Sequence, residues 1–243
     1  MFKFIILLLL ALPVQAEISA KAWLVADANG EIIEQLNSTD VQPIASITKL
    51  MSAIVVLDSN PDLNERVKKF RGLTVTKQQL LDLAIVHSDN QAADRLCKTY
   101  RLGYTACIAD MNRKAQILGM NNTQFRDSTG LDNRNTSNAQ DLVKLLQAAE
   151  RYPAIVAASQ QTVVNLQKKK RRIPFKNTNP LVGKYDIIVS KTGYVRLSGG
   201  CLALIARVNG VKKYFVVLNS KTTRTRIVDM EALMLSMSTP GRL

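Results

Sequence analysis

The chain has 243 residues, of which 47% are hydrophobic and 21% are charged, and this composition suits one globular unit with a sizeable core. The formal net charge is +14, and so basic a surface favours an anionic partner. Beyond the N-terminus, the sequence has no apolar run of the roughly 20 residues that a membrane-spanning helix needs, and no spacing typical of a metal site. We therefore expect no metal, no other cofactor and no transmembrane segment in the mature protein.

Residues 1–16, MFKFIILLLLALPVQA, have the pattern of a secretory signal peptide. Lys3 precedes a short apolar run, and Val14 and Ala16 are small residues around a cleavage point. An uncleaved membrane anchor is the alternative, but the run is too short to span a membrane. We predict cleavage after Ala16 and export of a single domain over residues 17–243. The anionic partner of an exported protein would be a cell-wall polymer, a phospholipid surface or an acidic glycan sooner than nucleic acid.

The first predicted elements are a β-hairpin and a helix. The hairpin covers residues 22–36 and turns at Asn29-Gly30, a dipeptide that suits turns needing positive φ. Apolar residues at helical spacing predict the helix over residues 43–57. A polar connection is predicted to follow it over residues 58–72.

A mostly helical block is predicted over residues of about 62–150. Thr76 and Gln79 form a capping box at the start of a helix that ends near His87. The other predicted helices of the block cover residues 92–100, 104–118 and 141–151.

The last part of the chain changes to apolar strands. Short strands are predicted over residues 162–167 and 171–175, and a third runs from residue 186 into a turn at Gly193. Two more strands pair around Asn209-Gly210, and a helix over 224–237 closes the chain. The elements predict an antiparallel sheet built from both ends of the chain, covered by helices, with the helical block inserted.

Three cysteines are an odd number for an oxidising compartment. Cys97 and Cys107 flank a predicted turn between two helices, where a disulfide is geometrically plausible. Cys201 opens an apolar strand, and we expect a buried free thiol there.

Ser46 and Lys49 lie three residues apart at the predicted start of the helix over residues 43–57. Residues i and i+3 share one helix face, so the hydroxyl and the amine can meet. A hydroxyl, an amine that can take its proton and a rigid mount are what a covalent nucleophile needs. Taken alone, the spacing is also typical of a capped amphipathic helix.

Two further motifs favour the catalytic interpretation. Ser46-Ile-Thr-Lys49, Ser88-Asp89-Asn90 and Lys191-Thr192-Gly193 occur in that order, and each pattern occurs once. The trio is the signature of the active-site-serine penicillin-binding proteins and serine β-lactamases. From Ala22 to the closing helix, the chain resembles the low-molecular-weight D-alanyl-D-alanine carboxypeptidase/endopeptidase family. The matching segments are AWLV, PIASITKLMSA, MNRKAQILGMNNTQF, STGLDNRN, IPFKNTNPLVG and SKTGY.

The resemblance implies a β-lactamase/transpeptidase-like fold of the α/β (α+β) class. Such a fold has a five-stranded antiparallel sheet flanked by helices and an inserted all-helical subdomain. The short form, without a C-terminal stalk, most resembles the periplasmic D,D-endopeptidases of Gram-negative bacteria, which cut peptidoglycan cross-links. A D-alanyl-D-alanine carboxypeptidase is the alternative within the family.

The resemblance also implies a role for each motif residue, and the side-chain chemistry agrees. Ser46 would attack the carbonyl carbon of a D-alanyl peptide bond and form an acyl-enzyme, with Lys49 as the base. Lys49 must then be neutral near pH 7, and burial and the second cation, Lys191, would lower its pKa. Ser88 would relay the proton to the leaving amine, and Asn90 would hold Lys49 and bond the substrate backbone.

The remaining expected site residues bind substrate. Lys191 and Thr192 would offer a cation and a hydroxyl to a carboxylate, and Gly193 would let a substrate strand approach the sheet edge closely. The family pattern makes the backbone N–H groups of the nucleophile and of Tyr194 the oxyanion hole. Arg226 matches the family position of an arginine that contacts a substrate carboxylate, although the endopeptidase-like members differ there.

Other features are expected to lie outside the catalytic site. His87, the only histidine, precedes Ser88, but the site already has a lysine base, and a loop or core role is expected. The basic run over residues 168–172 is expected to be a solvated hairpin at the cleft edge, where it could engage an anionic wall polymer.

Two rival functions are weighed against the peptidase. A common serine β-lactamase uses a glutamate after Ser-Asp-Asn to activate water, but no glutamate occurs between Asn90 and Ala149, and Glu150 falls in a helix. We therefore expect penicillin to leave a long-lived adduct on Ser46. A non-catalytic wall-binding module would suit the positive charge, but every expected catalytic side chain is present.

Overall fold

A five-stranded antiparallel sheet runs through the computed structural model, which describes residues 17–238. In spatial order its strands are β2 (Ile32–Leu36), β1 (Ala22–Ala26), β11 (Val211–Ser220), β10 (Gly199–Val208) and β9 (Asp186–Val195). Every neighbouring pair is antiparallel. Because two strands come from the start of the chain and three from its end, both ends of the chain build one sheet. The predicted fold class is confirmed. The predicted signal peptide, residues 1–16, lies outside the described residues.

Both predicted hairpins of this sheet form. β1 pairs with β2, and Gly30 in their turn has a φ of 94°. β10 pairs with β11 up to Val208 and Val211, and the two turn residues, Asn209 and Gly210, have φ values of 52° and 78°. Positive φ at both turn residues is what a two-residue hairpin with the right-handed strand twist requires.

Alternation along β11 divides the core into two layers. Tyr214 and Val216 face a large cluster that contains most of the helical side chains. Phe215 and Val217 point the other way and pack with Met230 of α7 (Thr225–Ser236). Because successive strand residues point to opposite faces, one buried strand serves both layers.

The remaining helices pack on the first of these layers. They are α1 (Thr48–Asp58), α2 (Lys77–Val86), α3 (Asn90–Lys98), α4 (Gly103–Ile117), α5 (Ala139–Ala149) and α6 (Pro153–Ser159). The capping box of Thr76 and Gln79 is present at the start of α2, as predicted. The short α6 was not predicted. None of the helices between residues 17 and 238 is long and apolar enough to cross a membrane.

The prediction of a polar connection over residues 58–72 is wrong, because part of it forms a hairpin. β4 (Arg66–Phe70) pairs with β5 (Leu73–Thr76). Val67 and Phe70 are buried in the helical cluster, while the residues between them are exposed. Since the exposed positions are charged, the pattern resembles a loop until the neighbouring elements cover Val67 and Phe70.

Two predicted boundaries also change near the motifs. The helix predicted over residues 43–57 begins as a 3-10 turn, Ala45–Ile47, and becomes α-helical at Thr48. The predicted turn at Gly193 is wrong, because β9 continues through it to Val195 and Gly193 pairs with Cys201 of β10. The turn follows instead at residues 196–198.

Two further strand pairs lie outside the five-stranded sheet. The strand pair β3 (Gln42–Pro43) and β6 (Thr136–Ser137) ties the start of α1 to the loop before α5. β7 (Val163–Lys168) and β8 (Arg171–Lys176) form a separate hairpin, as predicted.

Cys97 and Cys107 form a disulfide between α3 and α4, with Cα atoms 5.6 Å apart. Cys201 is a buried free thiol, and burial raises its pKa to about 11.

Candidate active site

Ser46 lies in the 3-10 turn that leads into α1, and this turn is held by two glycines. Ala45 has a φ of 46°, which is unusual for a residue with a side chain. A Cβ on Gly193 would lie 2.7 Å from the Ile44 carbonyl oxygen, and a Cβ on Gly130 would overlap the carbonyl group of Ala45. Close backbone approach from two sides therefore fixes the position of Ser46. The close contact that requires a glycine at position 193 is therefore with the backbone of this protein. The sequence had suggested the close approach of a substrate strand instead.

Lys49 is buried beside Ser46 and contacts three oxygens. Its Nζ lies 2.7 Å from Ser46 Oγ, 2.7 Å from Asn90 Oδ1 and 2.6 Å from the Thr129 carbonyl oxygen. The Asn90 and Thr129 oxygens only accept hydrogen bonds, so a neutral amine donates its two N–H groups to them. Its lone pair is then directed at the remaining neighbour, the Ser46 hydroxyl.

Burial lowers the pKa of Lys49 to about 7, against the opposing effect of the Asp127 and Asp89 carboxylates. The pKa of Lys191 is also well below its ordinary value, first because of burial and then because of the Lys49 and Arg226 charges. Two buried amines that repel one another favour states in which one of them is neutral. A neutral Lys49 near pH 7 is therefore accessible to this site.

Ser88 and Asn90 sit at the turn between α2 and α3. Ser88 has a φ of 58°, and Asp89 caps α3 by accepting a hydrogen bond from the Ala92 N–H at 2.9 Å. Asp89 also pairs with Arg71 from the β4–β5 hairpin. The cap and the ion pair orient the start of α3, and with it the Asn90 amide that holds Lys49.

Lys191 and Thr192 reach the same site from β9. The buried Lys191 Nζ donates to Ser88 Oγ at 2.7 Å and to the Thr192 carbonyl at 2.9 Å. Thr192 Oγ1 lies 2.6 Å from Thr178 Oγ1. The three motifs therefore meet around two buried amines, each in contact with one serine hydroxyl.

The other expected binding residues lie beside this centre. Tyr194 is half exposed at the end of β9. The Arg226 guanidinium is buried under the same strand, and one of its terminal nitrogens donates to the Gly193 carbonyl oxygen at 2.8 Å. Its Nε has no hydrogen-bond partner among the described residues. Arg226 thus supports the strand that carries the third motif.

The sequence did not reveal several residues that build the site. The Thr129 carbonyl is one, and Asp127 positions it by accepting hydrogen bonds from the backbone N–H groups of Thr129 and Gly130, both at 2.6 Å. Arg71 and Thr178 are the others. The DSTGLD segment is a detectable turn signal, but a backbone carbonyl that accepts from a distant lysine has no sequence signature.

His87 makes its contacts with β8. Its Nδ1 lies 2.9 Å from the Lys176 carbonyl oxygen, and its ring packs edge-on against Phe175 with centroids 5.2 Å apart. Within residues 17–238, no group of three histidine, cysteine or carboxylate side chains could hold a metal ion. The chemistry available here is a serine hydroxyl beside an amine that can be neutral.

Comparison with known proteins identifies relatives over most of the chain. Residues 11–222 match the family described as D-alanyl-D-alanine carboxypeptidase. The D-alanyl-D-alanine endopeptidase of Escherichia coli (strain K12) is 35% identical over 239 residues, covering 90% of this chain and 77% of that protein. The D-alanyl-D-alanine endopeptidase of Pseudomonas aeruginosa is 34% identical over 242 residues, covering 91% of this chain and 78% of that protein.

Solved structures share the fold. The Streptomyces K15 DD-transpeptidase superposes with a TM-score of 0.84 at 26% identity, covering 90% of this chain and 97% of that one. Penicillin-binding protein D2 from Listeria monocytogenes, in its cefotaxime-bound form, gives a TM-score of 0.81 at 26% identity with the same coverage. Because the family match spans most of the chain and the three motifs meet around Lys49 and Lys191, this chain belongs to the D-alanyl-D-alanine carboxypeptidase family.

Proposed function

We propose that this chain is a serine D,D-peptidase that cuts the peptide bond between D-alanine and a cross-linked diamino acid in peptidoglycan, a D-alanyl-D-alanine endopeptidase. The observation that carries the proposal is Lys49 Nζ at 2.7 Å from Ser46 Oγ, with a pKa lowered to about 7. Relatives named D-alanyl-D-alanine endopeptidase, at 34% and 35% identity, support this activity over that of a carboxypeptidase.

In the proposed reaction, Ser46 Oγ attacks the carbonyl carbon of D-alanine while Lys49 Nζ takes the hydroxyl proton. The negative oxygen that forms is stabilised by the backbone N–H groups of Ser46 and Tyr194. The C–N bond then breaks, and the proton that Lys49 took from Ser46 passes through the Ser88 hydroxyl to the leaving amine, which leaves Lys49 neutral again. Lys191 holds the Ser88 oxygen during this transfer. Water attacks the resulting ester, again with Lys49 as base, and the free carboxylate leaves while Ser46 regains its proton.

Substrate binding is assigned to the third motif. Lys191 and the Thr192 hydroxyl hold a substrate carboxylate, and Gly193 keeps the strand close to the nucleophile. Arg226 donates a hydrogen bond to the Gly193 carbonyl, and its guanidinium adds positive charge beneath this strand.

We propose that β-lactams acylate Ser46 and leave it slowly. The cefotaxime- and ampicillin-bound forms of penicillin-binding protein D2 support this use of the fold. Glu150, the first glutamate after Asn90, accepts hydrogen bonds from Lys212 and Tyr214 at 3.0 and 2.7 Å, which engages its carboxylate with the sheet. That contact argues against a β-lactamase in which Glu150 activates water.

The N-terminal pattern supports export. We propose that residues 1–16 are a cleaved signal peptide, that residues 17–243 form one peptidase domain, and that the enzyme works in the periplasm on peptidoglycan. Within the domain, the mostly helical part over residues of about 62–150 carries Ser88 and Asn90.

Two assays test this function. Purified protein should be labelled by a fluorescent penicillin, Ser46→Ala should not be labelled, and Ser236→Ala on α7 should behave as the wild type. Purified peptidoglycan should lose cross-linked dimers and gain monomers after digestion. Release of terminal D-alanine with dimers intact would make the protein a carboxypeptidase, and rapid, complete hydrolysis of penicillin would make it a β-lactamase. Binding of peptidoglycan with neither labelling nor digestion would leave only a wall-binding module.

A further inference from the structure

The β7–β8 hairpin carries a concentration of charge that the proposed reaction does not use. Lys168 pairs with Arg171 across the end of the hairpin, and the chain turns between them. The five consecutive cations here, called the basic tip, are Lys168, Lys169, Lys170, Arg171 and Arg172. All five are exposed, and in the described part of the chain none of them forms a salt bridge.

The base of the hairpin, in contrast, is anchored at the candidate active site. The Lys176 carbonyl lies 2.9 Å from Nδ1 of His87, the residue directly before Ser88. Thr178, just beyond β8, places its hydroxyl 2.6 Å from that of Thr192 in the third motif. The hairpin is therefore attached to both walls of the site.

The geometry sets how far the basic tip lies from this anchor. At roughly 3.3 Å per strand residue, the five steps from Lys176 to Arg171 span about 17 Å. A cation this far from the anchor does not touch the bond held at Ser46, whereas a polymeric substrate is long enough to reach it. The basic tip is thus placed to contact a part of a polymeric substrate that the catalytic residues do not touch.

We propose that the basic tip binds carboxylates of peptidoglycan stem peptides that neighbour the cross-link held at Ser46. This inference rests on the proposed function and adds a second contact with the same substrate. Five adjacent cations without acidic neighbours repel one another, and a polyanion relieves that repulsion. Lysine and arginine donors form charge-assisted hydrogen bonds with carboxylates. Because the base of this hairpin is anchored at Ser88 and the third motif, the substrate of that site is favoured over a membrane surface as the anion.

The test compares two variants of equal charge. In the tip variant, the five cations of the basic tip become glutamine. In the control variant, five exposed cations distributed elsewhere become glutamine, namely Lys21, Lys69, Arg101, Arg151 and Lys184. Each is combined with Ser46→Ala for sedimentation with purified sacculi across a series of salt concentrations, so that no cleavage occurs. The same changes on the active enzyme are labelled with fluorescent penicillin, which reports on the catalytic site alone.

We expect the tip variant to bind sacculi on the order of ten-fold more weakly than the control variant at low salt, with the difference disappearing at high salt as charges are screened. Blocking the carboxylates of the sacculi by amidation should abolish the difference, whereas removing phosphate polymers should leave it unchanged. Penicillin labelling should be equal in both variants. Equal sacculus binding by the two variants overturns the proposal, as does a difference between them that survives amidation of the sacculi. Failure of the active wild type to label would instead reject the proposed function.

Discussion

The reactivity of Ser46 should depend on pH through Lys49. Only the neutral amine can take the hydroxyl proton, and burial lowers the pKa of Lys49 from 10.5 to about 7. One pH unit below this value, roughly one molecule in ten has a neutral lysine, so acylation should be roughly ten-fold slower than its plateau. Two units below, it should be roughly a hundred-fold slower.

The assay is the second-order rate constant for labelling by a fluorescent penicillin, measured at constant ionic strength from about pH 5 to about pH 9. We expect the rate to rise about ten-fold per pH unit and to level off near neutrality. Circular dichroism at each pH is the control, because it separates loss of reactivity from unfolding.

Two results would refute this reasoning. A rate that still rises ten-fold per unit up to about pH 10 would mean that Lys49 keeps the ordinary pKa of a lysine and that its burial has no such effect. A rate without pH dependence across the whole range would mean that Lys49 is not the base.

Three further predictions concern stability and the supports of the site. Between about pH 7 and pH 10.5, the free energy of unfolding of the wild type should rise relative to that of Lys49→Met by up to about 1.4 kcal/mol per pH unit, because Lys49 is protonated there in the unfolded state and neutral in the folded state. If denaturant titrations gave both proteins the same dependence of this free energy on pH, the prediction would be contradicted. Gly130→Ala should lower the free energy of unfolding by at least about 2 kcal/mol and abolish penicillin labelling, because Gly130 has a φ of 82° and a Cβ there would overlap the backbone of Ala45. Chemical denaturation measures the loss of stability. Arg71→Gln should slow acylation roughly ten-fold because Asp89 loses its charge partner, whereas Arg71→Lys should retain most of the rate. If the glutamine variant is labelled at the wild-type rate, Arg71 does not support the site.

Much of the fold follows from signals between neighbouring residues. Asn209-Gly210 predicts its hairpin because few residue pairs accept positive φ at both turn positions. The Thr76–Gln79 capping box predicts the start of α2 because both hydrogen bonds lie within one turn. The three motifs are local in the same way, and together with the matching segments along the chain they were sufficient to predict the family.

Other parts of the fold depend on contacts between distant segments. The β4–β5 hairpin was missed because only Val67 and Phe70 face the core, and helices elsewhere in the chain provide that core. Gly193 was expected to end a strand, but the sheet partner β10 continues the pairing through it. The residues of a segment do not show which distant segment will cover it or pair with it, and that neighbouring segment decides whether a strand forms or continues.

The sequence by itself determined which side chains could form the catalytic site and in what order the chain presents them. Only the tertiary structure decided that Lys49 is buried, that the Thr129 carbonyl and the Asn90 amide take its two N–H groups, and that Arg71 neutralises Asp89. The physical reason is that the pKa of an amine depends on the solvent and charges around it, and these come from segments 41 and 80 residues away along the chain.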